Sequence, residues 1–443
     1  MKLWQKDKAS LQEVDRFTVG KDREMDMFLA RFDILGSLAH ITMLESIGLL
    51  TKAELDVLAK ALKELHAEVV AGSFSVDPQV EDIHSQVELL LTQRLGETGK
   101  KIHAGRSRND QVLVDIKLFL RSAIHDVVLE IKQLFDLLQS LADKHQHTLL
   151  PGYTHFQLAM PSSFGLWFGA YAESLVDDMA TLQGAYQVVN RNPLGSAAGY
   201  GSSFPLNRTL TTRLLGFSSL NYNVVYAQMG RGKTERIVAS ALSNVAATLG
   251  KLAMDACLFL NQNFGFISFP AELTTGSSIM PHKKNPDVFE LIRGRCSQLQ
   301  ALPNDIALGI ANLPSGYHRE MQLLKELLFP AFVHLRDCLQ MTQLMLSHVT
   351  VKQDILLDDK YKFLFSVEEV NKLVLDGVPF RDAYKKVGMD IEQGKYEPTR
   401  EVNHTHEGSI GNLCLPEVNA LMDRAIAGFQ FQEAEDALAA LVR

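Results

Sequence analysis

Apolar residues recur at spacings of three and four along most of the chain, and this period is typical of amphipathic helices. In the segment 51–72 the capping pair Thr51 and Glu54 precedes a leucine-rich helical stripe, and Gly72 follows it. Alternating polar and apolar positions, the pattern of a half-buried strand, are scarcely present anywhere in the sequence. The pattern therefore predicts an almost entirely helical protein, with one helix beginning near Thr51 and ending before Gly72.

The longest predicted helix covers residues 110–147, a stretch that contains neither glycine nor proline. At a rise of ~1.5 Å per residue this helix approaches ~55 Å in length. The same reasoning predicts helices over 234–261, 287–302 and 318–348. Long helices with heptad-like apolar stripes indicate a bundle, and a solitary bundle leaves apolar surface exposed, so we expect self-association.

Segments rich in glycine and proline, such as 149–156 and 192–207, interrupt these helices. We therefore predict an all-α protein with three domains. The predicted divisions are an N-terminal helical domain over 1–105, a central long-helix bundle over 106–358 and a small C-terminal helical domain over 359–443.

The composition and net charge of the chain limit the classes of molecule that we expect it to bind. The chain has 443 residues, of which 46% are hydrophobic and 22% charged, as in ordinary globular proteins. Its formal net charge of -8 lacks the basic surplus of a nucleic-acid or anionic-membrane binder, so we expect neither partner. An anionic substrate would need a local basic pocket.

Three sequence features bear on the cellular compartment of the protein: its N-terminal stretch, its apolar runs and its cysteines. The N-terminal stretch 1–17 lacks the apolar core of a signal peptide, and no apolar run reaches the ~18 residues of a membrane span. The four cysteines are far apart and form no CxxC pair, which favours reduced thiols over a zinc ribbon or a disulfide framework. We therefore expect a cytoplasmic protein.

The stretch HAGRSRNDQV, residues 103–112, concentrates hydrogen-bond donors where a loop enters the longest predicted helix. Arg106 and Arg108 offer bidentate donors for a carboxylate or phosphate, and Asn109 adds an amide at the helix start. The alternative is simple helix capping by Ser107, Asn109 or Asp110.

Two further loops carry candidate chemistry. In PGYTHFQLAMP, residues 151–161, Thr154 and His155 lie between two prolines, which would hold a proton-transfer group rigidly, although such a histidine is often structural. The stretch TTGSSIMPHKKNPD, residues 274–287, combines small hydroxyls with lysines and an amide. Its alternative is a rigid turn between bundle helices, with the lysines in solvent.

Other motifs are weaker. MGRGKT, residues 229–234, lacks the first glycine of a phosphate-binding loop, so a cationic turn that opens a helix is the better interpretation. The histidines of HQH (145–147) and HTHEG (404–408) have no matching carboxylate or cysteine pattern for a metal.

Several stretches together resemble one known superfamily. GSSIMPHKKNP (276–286) resembles the signature of the fumarase/aspartase superfamily, and GRSRNDQ (105–111) and GYTHFQ (152–157) resemble its argininosuccinate lyase family. The resemblance extends to VEDIHSQVE (80–88), NPLGSAAG (192–199), PDVFELIRGR (286–295) and LPSGYHREMQLLKE (313–326), and so covers most of residues 15–350.

The resemblance implies an all-α, fumarase/aspartase-like fold of three domains with a long central helical bundle. It also implies a homotetramer whose active sites are each shared between three subunits, and a reaction that needs no metal or organic cofactor. The implied activity is the reversible β-elimination of argininosuccinate to L-arginine and fumarate, a step of arginine biosynthesis.

Such an elimination removes a proton beside a carboxylate and expels nitrogen from the neighbouring carbon, so it needs a base, an acid and fixed cations. The resemblance makes His155 and Ser277 the proton-transfer pair and leaves open which one is the base. Lys283 and Asn285 match positions that hold the succinyl carboxylates. The other matched substrate-binding positions are Thr18, Arg108, Asn109, Thr154, Tyr317, Gln322 and Lys325.

The chain departs from the family pattern at a few positions. Ile237 replaces a usual aspartate, Leu323 and Leu324 replace two acidic residues, and Met160 replaces a usual glutamine. His282 also replaces a glutamine, and histidine there is frequent in adenylosuccinate lyases, which makes another fumarate-releasing lyase the first alternative.

A structural homologue, like the lens crystallins recruited from this fold, is the second alternative. The retention of Ser277, His155 and Lys283 weighs against a purely structural role.

Overall fold

The fold is given by a computed structural model, which describes residues 12–443. Residues 1–11, most of the N-terminal stretch in which no signal peptide is predicted, lie outside the described residues. The helices are α1 (Gln12–Val19), α2 (Asp22–Asp26), α3 (Ala30–Ser46), α4 (Lys52–Val70), α5 (Ile83–Leu95), α6 (Glu97–Lys100), α7 (Arg108–Lys144), α8 (Phe164–Val189), α9 (Arg208–Leu214), α10 (Val224–Met229), α11 (Lys233–Leu260), α12 (Asp287–Gly309), α13 (Leu323–Ser347), α14 (Ser366–Leu375), α15 (Phe380–Glu392), α16 (Leu415–Ala427) and α17 (Phe431–Val442).

Four two-stranded pairings accompany the helices. The strands are β1 (Leu149–Thr154), β2 (Gln157–Ser163), β3 (Arg191–Asn192), β4 (Ser219–Leu220), β5 (Ile267–Ser268), β6 (Thr275–Gly276), β7 (Lys284–Asn285) and β8 (Thr350–Val351). The pairs β1–β2, β5–β8 and β6–β7 are antiparallel, whereas β3–β4 is parallel.

The central bundle consists of the long helices α7, α8, α11, α12 and α13, which pack against one another. Large side chains on their facing surfaces, among them Phe135, Phe168, Phe289 and Phe329, are less than 2% exposed. Burial of apolar surface contributes roughly 25 cal/mol per Å², so these faces hold the helices together. The predicted helical class is therefore confirmed.

Two smaller cores flank the bundle. Helices α3, α4 and α5 enclose an N-terminal core that includes Ile34, Leu58 and Leu62, while the opposite side of α3 packs into the bundle core. A small cluster around Val370 and Val387 lies between α14 and α15. The division of the chain at residues 105 and 358 stays a prediction.

The C-terminal segment returns along the bundle. Helix α16 packs on α8 and α7, and α17 packs on α3 and α9. Among residues 12–443, α11 is the one helix that is long and apolar enough to span a membrane, and half of its most apolar window is buried inside the fold.

Local signals set several helix ends. Helix α4 begins at the predicted capping box, in which the Thr51 hydroxyl accepts from the Glu54 backbone N–H and the Glu54 carboxylate accepts from the Thr51 N–H. Gly72 follows the helix with a φ of 70°, a left-handed conformation that glycine adopts without strain. The turn 229–234 opens α11, as predicted.

The structure differs from the predicted elements in several places. Residues 149–163 form a β-hairpin rather than an interruption, because the prolines at 151 and 161 hide its strand pattern. Helix α12 continues to Gly309, through Pro303, which costs one backbone hydrogen bond and not the whole helix. Helix α13 begins only at Leu323, after a 3₁₀ turn at Arg319–Gln322.

Candidate active site

A cavity of about 220 Å³ opens at the N-terminal end of α7. It lies where α2, the start of α5, the start of α7 and the Tyr317–Lys325 segment converge. Of the residues predicted to bind substrate, it collects Arg108, Asn109, Tyr317, Gln322 and Lys325.

The start of α7 is fixed by a capping box. The Ser107 hydroxyl accepts from the Asn109 backbone N–H at 3.2 Å, and the Asp110 carboxylate accepts from the Ser107 N–H at 2.9 Å. Asp110 also accepts from the backbone N–H groups of Gly195 and Ala197, both at 2.9 Å. Ser107 and Asp110 are therefore capping residues, which leaves the Asn109 side chain at the cavity.

The cavity is highly charged yet balanced. Its lining includes the carboxylates of Asp22, Asp26, Glu81 and Asp82 and the cations of Arg108, Arg231, Arg319 and Lys325. Carboxylates and cations in equal number suit a zwitterionic group better than a simple anion, because each charge of the ligand finds an opposite partner.

Arg108 is held in place by residues that precede and begin α5. Its guanidinium donates to the Ser85 hydroxyl at 2.6 Å and lies 3.1 Å from the Asp82 carboxylate and 3.3 Å from that of Glu81. Although burial disfavours the charged carboxylate, His84 and Arg108 lower the pKa of Asp82. Arg108 is thus oriented before any ligand arrives.

Lys325 is buried between two carboxylates. Its ammonium lies 2.6 Å from Asp26 Oδ1 and also contacts Asp22. Burial opposes the charge, but the two carboxylates outweigh it and raise the pKa of Lys325. Burial also raises the pKa of Asp22 to about 6, against the opposing effect of Lys325.

Gln322 ties the cavity to the N-terminal helix α1. Its side-chain amide donates to the backbone carbonyls of Thr18 and Val19, both at 3.1 Å, and Arg319 donates to the Thr18 carbonyl at 2.9 Å. The Thr18 hydroxyl donates to the Val14 carbonyl at 2.9 Å. Thr18 therefore stands beside the cavity, and its backbone helps to orient Gln322.

A buried polar cluster supports the wall of the cavity. His84 Nδ1 lies 2.7 Å from Asp33 Oδ1 and 3.5 Å from Asp115 Oδ2, and Gln111 donates to Asp33 Oδ1 at 2.7 Å. Burial and the neighbouring Asp33 raise the pKa of Asp115 well above its usual range. Burial therefore disfavours a second full negative charge beside His84.

The β1–β2 hairpin carries Thr154 and His155 at its tip. His155 and Phe156 have φ values of 54° and 58°, the left-handed pair of a tight two-residue hairpin loop. All three side chains are exposed, with Phe156 at 86%. The hairpin therefore presents His155 outward, away from the core of its own chain.

The 274–287 loop is a second small hairpin, closed by β6 and β7. The Ser277 hydroxyl accepts from the backbone N–H groups of Met280, at 3.1 Å, and Ile279, at 3.4 Å. Lys283 is exposed and Asn285 is half-buried. The loop presents its hydroxyl, cations and amide to the surroundings rather than to the protein core.

The predicted site residues therefore occupy three separate places. Asn109 stands in the first turn of α7, and the His155 hairpin follows its last turn, so the 37-residue helix separates them by roughly 50 Å. Within residues 12–443, no hydrogen bond or ion pair joins the cavity, the hairpin and the 274–287 loop. One chain does not bring all the predicted site residues together.

The carboxylate residues that line the cavity are not among the substrate-binding residues predicted from the sequence. Glu81 and His84 fall in the stretch VEDIHSQVE and Asp22 in FTVGKD, so these motifs are the available signal. Asp26 has no local signal, because its partner Lys325 lies 299 residues further along the chain. The residues found only in the structure are Asp22, Asp26, Glu81, Asp82, His84, Arg231 and Arg319.

Comparisons with known proteins define the class. The family model described as Lyase matches residues 10–301. Among solved structures, an EDDS lyase in complex with formate has a TM-score of 0.73 at 22% identity, covering 98% of this chain and 94% of that chain. A class II fumarase from Schistosoma mansoni has a TM-score of 0.72 at 15% identity, covering 86% and 89%. The protein is a lyase with the fumarase/aspartase fold.

Sequence similarity gives the finer assignment. The argininosuccinate lyase of Bacteroides fragilis is 63% identical over 436 residues, which cover 98% of each chain. The argininosuccinate lyase of Bacteroides thetaiotaomicron is 62% identical over 440 residues, which cover 99% of each chain. The chain belongs to the argininosuccinate lyase family, which confirms the resemblance found in its motifs.

Proposed function

We propose that the protein catalyses the reversible β-elimination of argininosuccinate to L-arginine and fumarate. The observation that carries this proposal is the charge-balanced cavity at the start of α7, on a chain 63% identical to an argininosuccinate lyase. Arginine biosynthesis is the process that such a reaction serves.

The cavity suits the amino-acid end of this substrate. That end carries an ammonium and a carboxylate on one carbon, so it needs both an acidic and a basic partner. Asp22 can accept from the ammonium, while Arg108 and the amides of Asn109 and Gln322 can donate to the carboxylate. Tyr317, Lys325 and Thr18 complete this part of the proposed site.

The elimination itself is assigned to the two exposed loops. Ser277 and His155 form the proposed acid–base pair, and Thr154 lies beside His155 as a substrate contact. Lys283 and Asn285 stabilise the carboxylate on which negative charge develops after proton removal. The backbone N–H groups directed at Ser277 Oγ support a role for an ionised serine, because such donors stabilise an alkoxide.

We propose a homotetramer, which the separation of these groups supports. If each site takes the cavity from one subunit and the two loops from two others, all predicted residues meet without any movement of the 37-residue helix. Of the proposed domains, 1–105 and 106–358 both line the cavity, 106–358 also carries the two loops, and 359–443 is a peripheral unit. We place the tetramer in the cytoplasm, without nucleic-acid or membrane partners, in keeping with the net charge of -8.

A fumarate-absorbance assay on the purified protein tests the function. We expect fumarate release from argininosuccinate and none from adenylosuccinate, because the cavity is built for an amino-acid zwitterion. Release from adenylosuccinate alone would replace the proposal with the other lyase activity. Absence of release from either substrate, by a folded and assembled protein, would favour a structural role.

A further inference from the structure

A second cavity, of about 300 Å³, shares no lining residue with the proposed substrate cavity. It is enclosed by α3, α4, α7, α8 and the last helix, α17. Its apolar wall includes Leu118, Leu438 and the ring of Phe431. The Phe431 ring packs edge-on to Tyr186 at 5.0 Å and stacks on His125 at 4.1 Å. The wall can therefore hold a flat or branched apolar group.

One edge of this cavity carries a buried arginine that has no carboxylate partner. Arg121 is 3% exposed, and its terminal nitrogens donate to the carbonyls of Leu215 and Gly216, both at 2.8 Å, and to Asn190. Its Nε–H has no hydrogen-bond partner. Within residues 12–443, no carboxylate forms an ion pair with this guanidinium, so its charge is offset by the carbonyl and amide dipoles and by the ring of Phe217, whose centroid lies 4.5 Å away.

Further basic side chains surround the same space. Arg31 and His66 line it, although burial lowers the pKa of His66. Asp126, the carboxylate that raises the pKa of Arg31, already accepts from Arg336 at 3.0 Å. The single carboxylate in the lining, Glu435, is engaged by His125 at 2.7 Å. The cavity thus carries an excess of positive charge at the mouth of an apolar pocket.

We propose that this cavity binds a small organic anion that has an aromatic or branched apolar body and one carboxylate or phosphate group. The apolar body packs against Leu118, Leu438 and Phe431, and the anionic group accepts from Arg31, while the buried guanidinium of Arg121 adds its positive charge from behind the wall. Such a ligand supplies the negative charge that this pocket lacks. The occupied site would join α17 to α3 and to α7, and the start of α7 also lines the substrate cavity.

Titration calorimetry on the full chain tests this site with phenyl phosphate and benzoate as probes and benzyl alcohol as the neutral control. Saturating fumarate is present throughout to keep the probes out of the proposed substrate site. We expect saturable binding of one anion per chain and at least tenfold weaker binding of the alcohol. Absence of anion binding, or equal binding of the alcohol, would overturn the proposal.

Variants locate the binding. Arg31→Gln should weaken anion binding at least tenfold, whereas Lys60→Gln, which removes an exposed cation from α4, should leave it unchanged. Ala439→Trp fills the cavity and should abolish binding, whereas Ala440→Trp, on the exposed face of the same helix, should not. Equal effects within either pair would overturn the proposal.

Activity and molecular mass distinguish a loss of ligand binding from damage to the substrate site or to the assembly. Fumarate release from argininosuccinate should persist in all four variants, because none of them changes the proposed substrate site, so this inference and the proposed function can fail separately. Light scattering should give the wild-type mass for Ala439→Trp. A smaller mass would identify the cavity as part of a subunit interface and overturn the ligand proposal.

Discussion

Ser277 is the hydroxyl that the proposed mechanism uses for proton transfer. Its oxygen accepts from two backbone N–H groups, at 3.1 and 3.4 Å, on a loop that also carries Lys283. Donors aimed at an oxygen favour its anionic form, and these two contacts therefore support the proposed role of the serine. The proposed role of Ser277 can therefore be tested by a substitution that removes this one oxygen atom and adds no bulk.

We expect Ser277→Ala to lower kcat for argininosuccinate cleavage at least ~10²-fold, the usual scale for a lost acid or base. His155→Asn should cause a comparable loss, and the double variant should be little worse than either single one, since the pair acts as a unit. The measurement is steady-state fumarate release.

The adjacent Ser278→Ala is the matched control, because Ser278 is an exposed hydroxyl on the same loop. It should retain nearly normal turnover. A folded, assembled Ser277→Ala protein with normal turnover would remove the 274–287 loop from the mechanism.

The raised pKa of Asp22 leads to a prediction about how KM depends on pH. Burial raises its pKa to about 6, so its carboxylate becomes neutral as the pH falls through that value. A neutral Asp22 no longer offers a charge to the substrate ammonium. We expect KM for argininosuccinate to rise as the pH falls from about 7 to about 5, while inhibition by fumarate, which has no ammonium, changes much less.

Asp22→Asn should give a raised KM that no longer changes over this range. If the variant kept the wild-type pH profile, another group would be responsible. If fumarate inhibition followed the same profile as KM, the amino-acid end of the substrate would not lie beside Asp22.

Two helix starts on the same chain separate structural from functional roles. Ser107 caps α7 beside the substrate cavity, and Thr51 caps α4 away from it, both within capping boxes. We expect Ser107→Ala and Thr51→Ala each to lower the free energy of unfolding by about 1 kcal/mol, measured by denaturant titration. Only Ser107→Ala should also raise KM, because it loosens the turn that positions Arg108 and Asn109.

A rise in KM for Thr51→Ala as well would mean that general loss of stability, and not the local position of the α7 start, affects the site. Normal KM for both would show that the remaining bonds of Asp110 to Gly195 and Ala197 hold this turn without Ser107.

Helices with strong local signals could be predicted from the sequence. The predicted ends of α7, residues 110 and 147, compare with Arg108 and Lys144 in the structure. Helix α8 is absent from the predicted elements, because its first nine residues, FGLWFGAYA (164–172), contain no charged residue and so show no separate apolar stripe. The β1–β2 hairpin is absent from them because its strands alternate poorly between exposed and buried positions.

The residues of the candidate site also divide into those that local sequence identifies and those that only the packing of distant segments brings together. Arg108 and Asn109 sit in a short motif at a helix start, so local sequence identifies them. Lys325 and Asp26 form one ion pair across most of the chain, and only the packing of α13 on α2 creates it. The two leucines that replace acidic residues differ in burial, which the sequence does not reveal. Leu324 is 1% exposed and Leu323 is 57% exposed.

At the scale of the whole molecule, the proposed sharing of sites can be tested by mixing two inactive proteins. Ser277→Ala and His155→Asn tetramers are denatured together and refolded as mixed tetramers. If the two loops of a site come from different subunits, about a quarter of the sites in a random equal mixture contain both normal residues. We therefore expect about a quarter of the wild-type fumarate release.

A mixture that stays as inactive as its parents, although light scattering shows tetramers, would mean that Ser277 and His155 come from the same subunit. Each variant refolded alone provides the control, and a fully active wild-type monomer would contradict the assembly itself.

The length of α7 also has a consequence for the timing of activity. A helix forms within one chain at a rate that does not depend on how many other chains are present. A site divided between the ends of such helices must wait for chains to collide, and collisions become rarer as a solution is diluted. In the proposed assembly, newly made subunits form their helices first and remain inactive until they associate. The concentration of the chain therefore determines how soon catalysis begins.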